Sequence, residues 1–280
     1  MTTIASEHRS MIEYIAENLA LPVIQSLYIP PPEASESKNG EFGVLTLEDG
    51  TVGLVYLLLS NTLQAIQSKE VAEQLVGKNP ADVALAFEEG DEIEKALAMG
   101  AFNAISQFVF SRSGYALDFT TNALDEIEFS ENDQVGMVGF FPPLVQRLRD
   151  RAIPLTVLEL KEELVTVEQN FEVTLNPDHL SECNKIICTA TTLINSSIDF
   201  LLGKCNPSAQ IAVIGPTAGF LPDVLFEQGV DLVGGSKIPD SVAFIENCKQ
   251  DQKWGLTAQK YCLTKKGYPG YKALVERAAH

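Results

Sequence analysis

The sequence predicts an α/β chain, in which an α+β half is followed by a Rossmann-like, mostly parallel, doubly wound sheet. Three observations carry that expectation. Residues 135–143 read VGMVGFFPP, a short buried strand ended by Gly139 and followed by a proline-opened helix with Leu144, Val145 and Leu148 at helical spacing. Strand and helix patterns then alternate to the end of the chain, as in a parallel sheet covered on both faces. Before residue 118 the order is different: a helix, a strand hairpin, then a run of helices.

In chain order, Ile4, His8, Met11, Ile12, Ile15 and Leu19 fall on one face of a first helix, which makes His8 a packed core residue rather than a ligand. Val23–Ile29 reads as extended and residues 30–41 as an exposed polar loop. Phe42–Leu47 alternates as a strand, turns at Glu48-Asp49-Gly50-Thr51 and returns through Val52–Leu59. One helix is expected to carry Leu63, Ile66, Val71 and Leu75, a short one to start at Pro80, and a third to carry Ile93, Leu97, Ala101, Ala104 and Phe108. The small residues around Asn103 in that third helix suit close packing, and Asn103 itself could offer an amide to a cleft. Residues 118–134 are polar and acidic, and the domain boundary is placed there, giving domains 1–125 and 126–280.

In the second half, strands are expected at Ile153–Leu160, Glu172–Leu175, Lys185–Thr189, Ala209–Gly215 and Val230–Gly235. Ligands of such sheets bind outside the carboxyl ends of the strands. The residues expected to rim that edge are Gly139, Phe140, Glu159, Thr191, Thr192, Asn195, Gly215, Thr217, Gly234 and Gly235. Glu159, at the end of the second strand, is placed to accept from hydroxyl or ring N–H groups or to act as a base. Thr191 and Asn195 would orient an oxygen, and Phe140 or Phe141 would stack on a flat ring. Capping is the competing role for Thr191 and Thr192. Pro216, in the turn Gly215–Gly219, has no N–H, so that turn is a weaker phosphate cradle than a P-loop. Two bulky phenylalanines after Gly139 argue against ordinary dinucleotide binding.

Composition narrows the partners. The 280 residues carry a net charge of -18, a field that disfavours nucleic acid and anionic membrane surfaces. Residues 1–130 hold 20 Asp and Glu against 6 Lys and Arg, net -14, and the remainder 18 against 14, net -4. Neither a long apolar run nor a signal-peptide pattern is visible, so a cytoplasmic location is expected. Five cysteines without a C-x-x-C pair give little support to disulfides or a zinc knuckle. No G-x-S-x-G, H-E-x-x-H or Walker motif occurs. Oligomeric state is open, with a two-fold homodimer the commonest assembly.

The order VGMVGFFPPLV, VLEL, TATTLINSS and IGPTAGFLPDVLFEQGVDLVGGSKIPD resembles the heavy-metal chelation domain family, a group of largely uncharacterised function. The preceding half, with its hairpin and MGAFNA helix, is similar to the enolase N-terminal-like domain that accompanies it. The resemblance implies an enolase-N-like α+β domain, a Rossmann-like domain and an active cleft between them. It implies condensation or hydrolysis in making or handling a pterin-, flavin- or siderophore-like chelator; the cofactor is left open, with a divalent heavy metal or metal chelate as the candidate. Carried onto this chain, it selects Gly139, Phe140, Glu159, Thr191, Asn195, Gly215, Thr217 and Asp240, with Asn103 from the first domain. Two other readings remain: a non-catalytic metal or metallophore binder, and a methyltransferase-like binder of S-adenosylmethionine whose ribose Glu159 would hold.

Overall fold

In the computed structural model, which describes residues 3–31, 38–59, 62–68, 70–121 and 123–280, Thr3 and Ser6 form a reciprocal cap on α1 (Ile4–Asn18). The stripe Ile4, His8, Met11, Ile12 and Ile15 is buried, as its spacing predicts. Strands β1 (Ile24–Tyr28), β2 (Phe42–Leu47) and β3 (Val52–Tyr56) form an antiparallel three-stranded sheet in chain order. Of the loop expected over 30–41, residues 32–37 lie outside the described residues. Residues 38–41 form a 3-10 turn.

All six residues of β2 are buried, where the sequence pattern suggested simple alternation. The reason is that both faces of this sheet are covered. A later helix packs Phe244 and Cys248 onto Val44, Val52 and Leu54 from one side, and α6 (Glu92–Arg112) covers the other. The expected helix over Leu63–Leu75 is two, α2 (Thr62–Ser68) and α3 (Val71–Leu75), separated where Glu70 adopts a left-handed φ of 52°. Short helices α4 (Pro80–Ala84) and α5 (Ala86–Glu89) lead into α6.

Asp91 caps α6 in a box with Glu94, and residues 96–107 are then buried without a break. A helix apolar on every side belongs between two layers rather than at a surface. Its approach to β3 depends on missing side chains: a Cβ on Gly53 would lie 2.0 Å from Gly100 O.

The second sheet has eight strands in the order β11-β10-β9-β8-β4-β5-β7-β6. They are β4 (Val135–Val138), β5 (Leu155–Leu158), β6 (Thr166–Glu168), β7 (Phe171–Thr174), β8 (Lys185–Thr189), β9 (Gln210–Ile214), β10 (Leu232–Lys237) and β11 (Gln259–Thr264). Neighbours from β10 through β7 run parallel, while the edge strands β11 and β6 are antiparallel to theirs. Among the helices of this region are α7 (Pro142–Asp150), α8 (Thr191–Ile194), α9 (Ile198–Leu202), α10 (Asp223–Glu227), α11 (Ser241–Lys249) and α12 (Tyr271–Ala278).

One face of this sheet joins α6 and α1 in a single apolar cluster that includes Ile15, Phe102, Val213 and Leu225. The other face is covered by Leu144, Val145 and Leu148 of α7 together with Ile127 and Phe129. The segment expected as a polar connection at 118–134, of which Asn122 lies outside the described residues, is therefore in part core. Asp118 also forms a β-bridge with Cys262 at the β11 edge. No helix among the described residues is long and apolar enough to cross a membrane.

Candidate functional site

Strand β4 lies between β5, which follows it in the chain, and β8, which comes after the chain has crossed back. This reversal opens a crevice at the carboxyl ends of the strands, because the loops on its two sides lead away in opposite directions. Gly139 leaves β4 with φ +82°, and a Cβ there would sit 3.0 Å from Thr189 Cγ2. The next residues turn directly into α7, whose first turn is opened by Pro142.

A cleft of about 870 Å³ lies over the sheet beside this turn. Its floor is β10 and β11, with Gly234, Gly235, Ser236, Lys260 and Tyr261. One wall is Phe141, Pro143, Leu144 and Arg147, another is Asp251–Gly255, and the turn Gly215-Pro216 closes a further side. Asn39, from the 3-10 turn before β2, completes the lining.

Asn39 locks the 251–255 wall in place. Its Nδ2 donates to Asp251 Oδ1 at 2.8 Å and to Gln252 O at 3.0 Å, while its Oδ1 accepts from Trp254 Nε1 at 2.7 Å. The indole also meets Phe42 and Phe244 edge-on. Arg147 is held differently. Its guanidinium donates to Asp125 Oδ1 at 2.8 Å and Leu124 O at 3.0 Å and lies over the Phe129 ring.

The structure brings Phe141, Gly215, Pro216, Gly234 and Gly235 together in this lining and leaves the other expected residues outside it. Gly234 and Gly235 are glycines for packing. A Cβ on the first would lie 2.5 Å from Ala123 Cβ, and one on the second 2.3 Å from Ala218 O. Thr192 Oγ1 donates back to Thr189 O, and Thr191 and Thr189 pair their hydroxyls at 3.1 Å. Asn195 Oδ1 accepts from Ser197 N and Oγ in the turn between α8 and α9. Thr217 is buried, and its carbonyl accepts from Asn103 Nδ2, which donates also to Leu54 O. Asp240 is exposed and caps α11 through Ala243 N.

Glu159 follows β5 directly and is half-buried. It lies close enough to Tyr56 to help raise that hydroxyl's pKa, after the larger effect of burial and with Glu41. Phe140 is 44% exposed on the same rim. Sequence reasoning alone does not single out Asn39, Lys253, Trp254 or Lys260. The available signal is the single tryptophan of the chain, set beside a lysine in DQKWG.

Residues 122–265, just over half of the chain, match the DUF364 family, described as "Putative heavy-metal chelation". The chain belongs to the DUF364 family. Solved DUF364 proteins of unknown function share its fold. The one from Desulfitobacterium hafniense DCB-2 superposes with a TM-score of 0.68 at 19% identity, covering 94% of this chain and 98% of that one. The one from Pyrococcus horikoshii gives 0.64 at 19% identity, covering 94% and 100%. An uncharacterized protein, MJ0500, of Methanocaldococcus jannaschii is 27% identical over 173 residues, 59% of this chain and 62% of that protein. The match thus spans less than two thirds of that relative.

The family description raises the question of whether side chains of this DUF364 protein fit a metal. Among the described residues there is no group of three or more His, Cys, Asp or Glu side chains able to hold one. The cysteines are also poor thiolate donors. Burial pushes Cys183, Cys205 and Cys248 up to about 11, and Cys188 and Cys262 up to about 12. A soft metal binds thiolate rather than thiol, so burial adds the cost of deprotonation to any metal binding at these residues.

Proposed function

We propose that this DUF364 protein handles metal through a small-molecule chelator bound in the cleft, rather than through ligands of its own. The observation that carries the reading is the pairing of a cleft walled by two aromatic residues, Phe141 and Trp254, with a donor set that, among the described residues, does not fit a metal. A cavity of about 870 Å³ is in the range that takes a drug-sized molecule. Flat pterin-, flavin- or catecholate-siderophore-like rings suit such walls, because stacking on an aromatic face needs no particular substituent.

Condensation or hydrolysis in making or breaking such a chelator is the reaction class this reading extends to. The polar groups at hand for it are Ser236 on the floor and the Asp251 carboxylate on the wall.

Calorimetric titration with pterins, flavins and catecholate precursors tests the proposal, alongside equilibrium dialysis against divalent metals alone. Saturable binding of one ring class with no stoichiometric retention of free metal is the expected result. Stoichiometric retention of metal by the protein alone would overturn it in favour of a direct metal carrier.

A further inference from the structure

Within the cleft, charge is distributed against the trend of the whole chain. The protein carries 38 acidic residues against 20 basic ones, yet the cleft lining holds Arg147, Lys253 and Lys260 against the single carboxylate of Asp251. Arg147 is already engaged by Asp125, as Arg149 is by Glu168 and Lys204 by Asp178 elsewhere. Lys253 and Lys260 have no such carboxylate partner among the described residues.

The strand register places one of these lysines. Ser236 of β10 is directly opposite Lys260 of β11, so the two side chains rise on the same face of the sheet. Both line the cleft. Two residues back along β10, Gly234 leaves the floor at backbone level under Ala123. Ala123 fills the space over Gly234, so the hydroxyl and the ammonium stand together beyond it, and Lys253 is on the wall next to Trp254.

We propose that the cleft selects a flat ring bearing a carboxylate, with the ring against Trp254 and the carboxylate received by Lys260, Ser236 and Lys253. This rests on the chelator reading and specifies the charge of the molecule. Two ammonium groups in one recess repel each other, and an anion between them removes that repulsion while forming charge-assisted hydrogen bonds. The turn after β9 does not offer the row of backbone donors that a phosphate cradle needs. In the turn Gly215–Ala218, the Gly215 N–H is bonded to Gly234 O and the Ala218 N–H to Gly215 O, and Pro216 has none.

The test compares 2,3-dihydroxybenzoate with catechol, and pterin-6-carboxylate with pterin, by calorimetry on the full-length protein. The carboxylated member of at least one pair is expected to bind at least about tenfold tighter, the size of effect a charge-assisted bond gives. Lys260→Met and Lys253→Met, both at exposed positions, are expected to bring the affinity ratio within each pair close to one, a readout that any general change in the cleft would not move. Equal binding of charged and uncharged members would overturn the carboxylate assignment while leaving the chelator reading intact. Binding of neither member of either pair would overturn both.

Discussion

Trp254 Nε1 donates to Asn39 Oδ1 at 2.7 Å, across 215 positions of sequence, and so ties the wall of the cleft to the turn that precedes β2. The same asparagine donates to Asp251 and Gln252. One side chain thus holds a whole segment against the three-stranded sheet, and the shape of the cleft depends on it.

Asn39→Ala is expected to remove these bonds and leave the indole N–H without its partner, at a cost of about 1–3 kcal/mol. Urea unfolding would show the lower midpoint. Because Trp254 is the single tryptophan, its emission should shift to longer wavelength in the folded variant. An unchanged emission maximum would mean the segment is held by other contacts.

Asn103 and Gln107 lie one turn apart on α6 and grip the loop after β9, through Thr217 O and Gly219 O respectively. Asn103→Ala leaves Leu54 O and Thr217 O without a donor, and a loss of about 2–4 kcal/mol is expected for two buried acceptors. Loss of less than about 0.5 kcal/mol would show that neither bond matters to the fold, since surface substitutions cost that little.

His8 is fully buried among Phe87, Phe102 and Phe220, and neither ring nitrogen has a hydrogen-bond partner. Burial lowers its pKa from 6.5 to about 3. The unfolded chain therefore binds more protons than the folded one between those values, and stability falls as pH drops from 6.5 toward about 3. The full effect is about 5 kcal/mol by linkage. His8→Leu is expected to flatten that part of the pH profile, measured by thermal or urea unfolding at pH 7 and pH 4. Parallel profiles for the two proteins would contradict the assignment.

Gly235 is on the cleft floor because no side chain fits on its other face, toward α6. A methyl group there would lie 2.3 Å from Ala218 O and 2.7 Å from the Tyr261 ring. Gly235→Ala is expected to destabilise by about 1–3 kcal/mol, the usual cost of overpacking, and to displace the 215–219 turn. A variant as stable as the parent would show that the turn yields freely.

Much of the fold was legible because its strongest signals are local. The period of α1, the hairpin at Asp49-Gly50 and the βα units from Val135 onward are patterns of neighbouring residues. Both antiparallel edge strands, Thr166–Glu168 and Gln259–Thr264, went unrecognised. Thr166–Glu168 is short and largely exposed, and Gln259-Lys260 opens its strand with two exposed polar residues. The double burial of β2 was hidden for the opposite reason, since the α11 that covers it is some 200 positions away.

The candidate site divides the same way. Phe141, Gly215 and Pro216 follow strands that were recognised, and the rule about strand ends reaches them. Lys253, Trp254 and Lys260 belong to the unrecognised β11 and the segment leading into it, so no local pattern placed them at a cleft. Asn103 and Thr217, both expected at the site, do meet, but in a buried bond between layers.

On the proposed reading the cleft, not the outer rim near Glu159, receives the small molecule. A crystal structure of the protein grown with 2,3-dihydroxybenzoate tests it most directly. Ring density against Trp254, with the carboxylate toward Lys260 and Ser236, is the expected result. Density stacked on Phe140 beside Glu159, with the cleft holding only solvent, would contradict it.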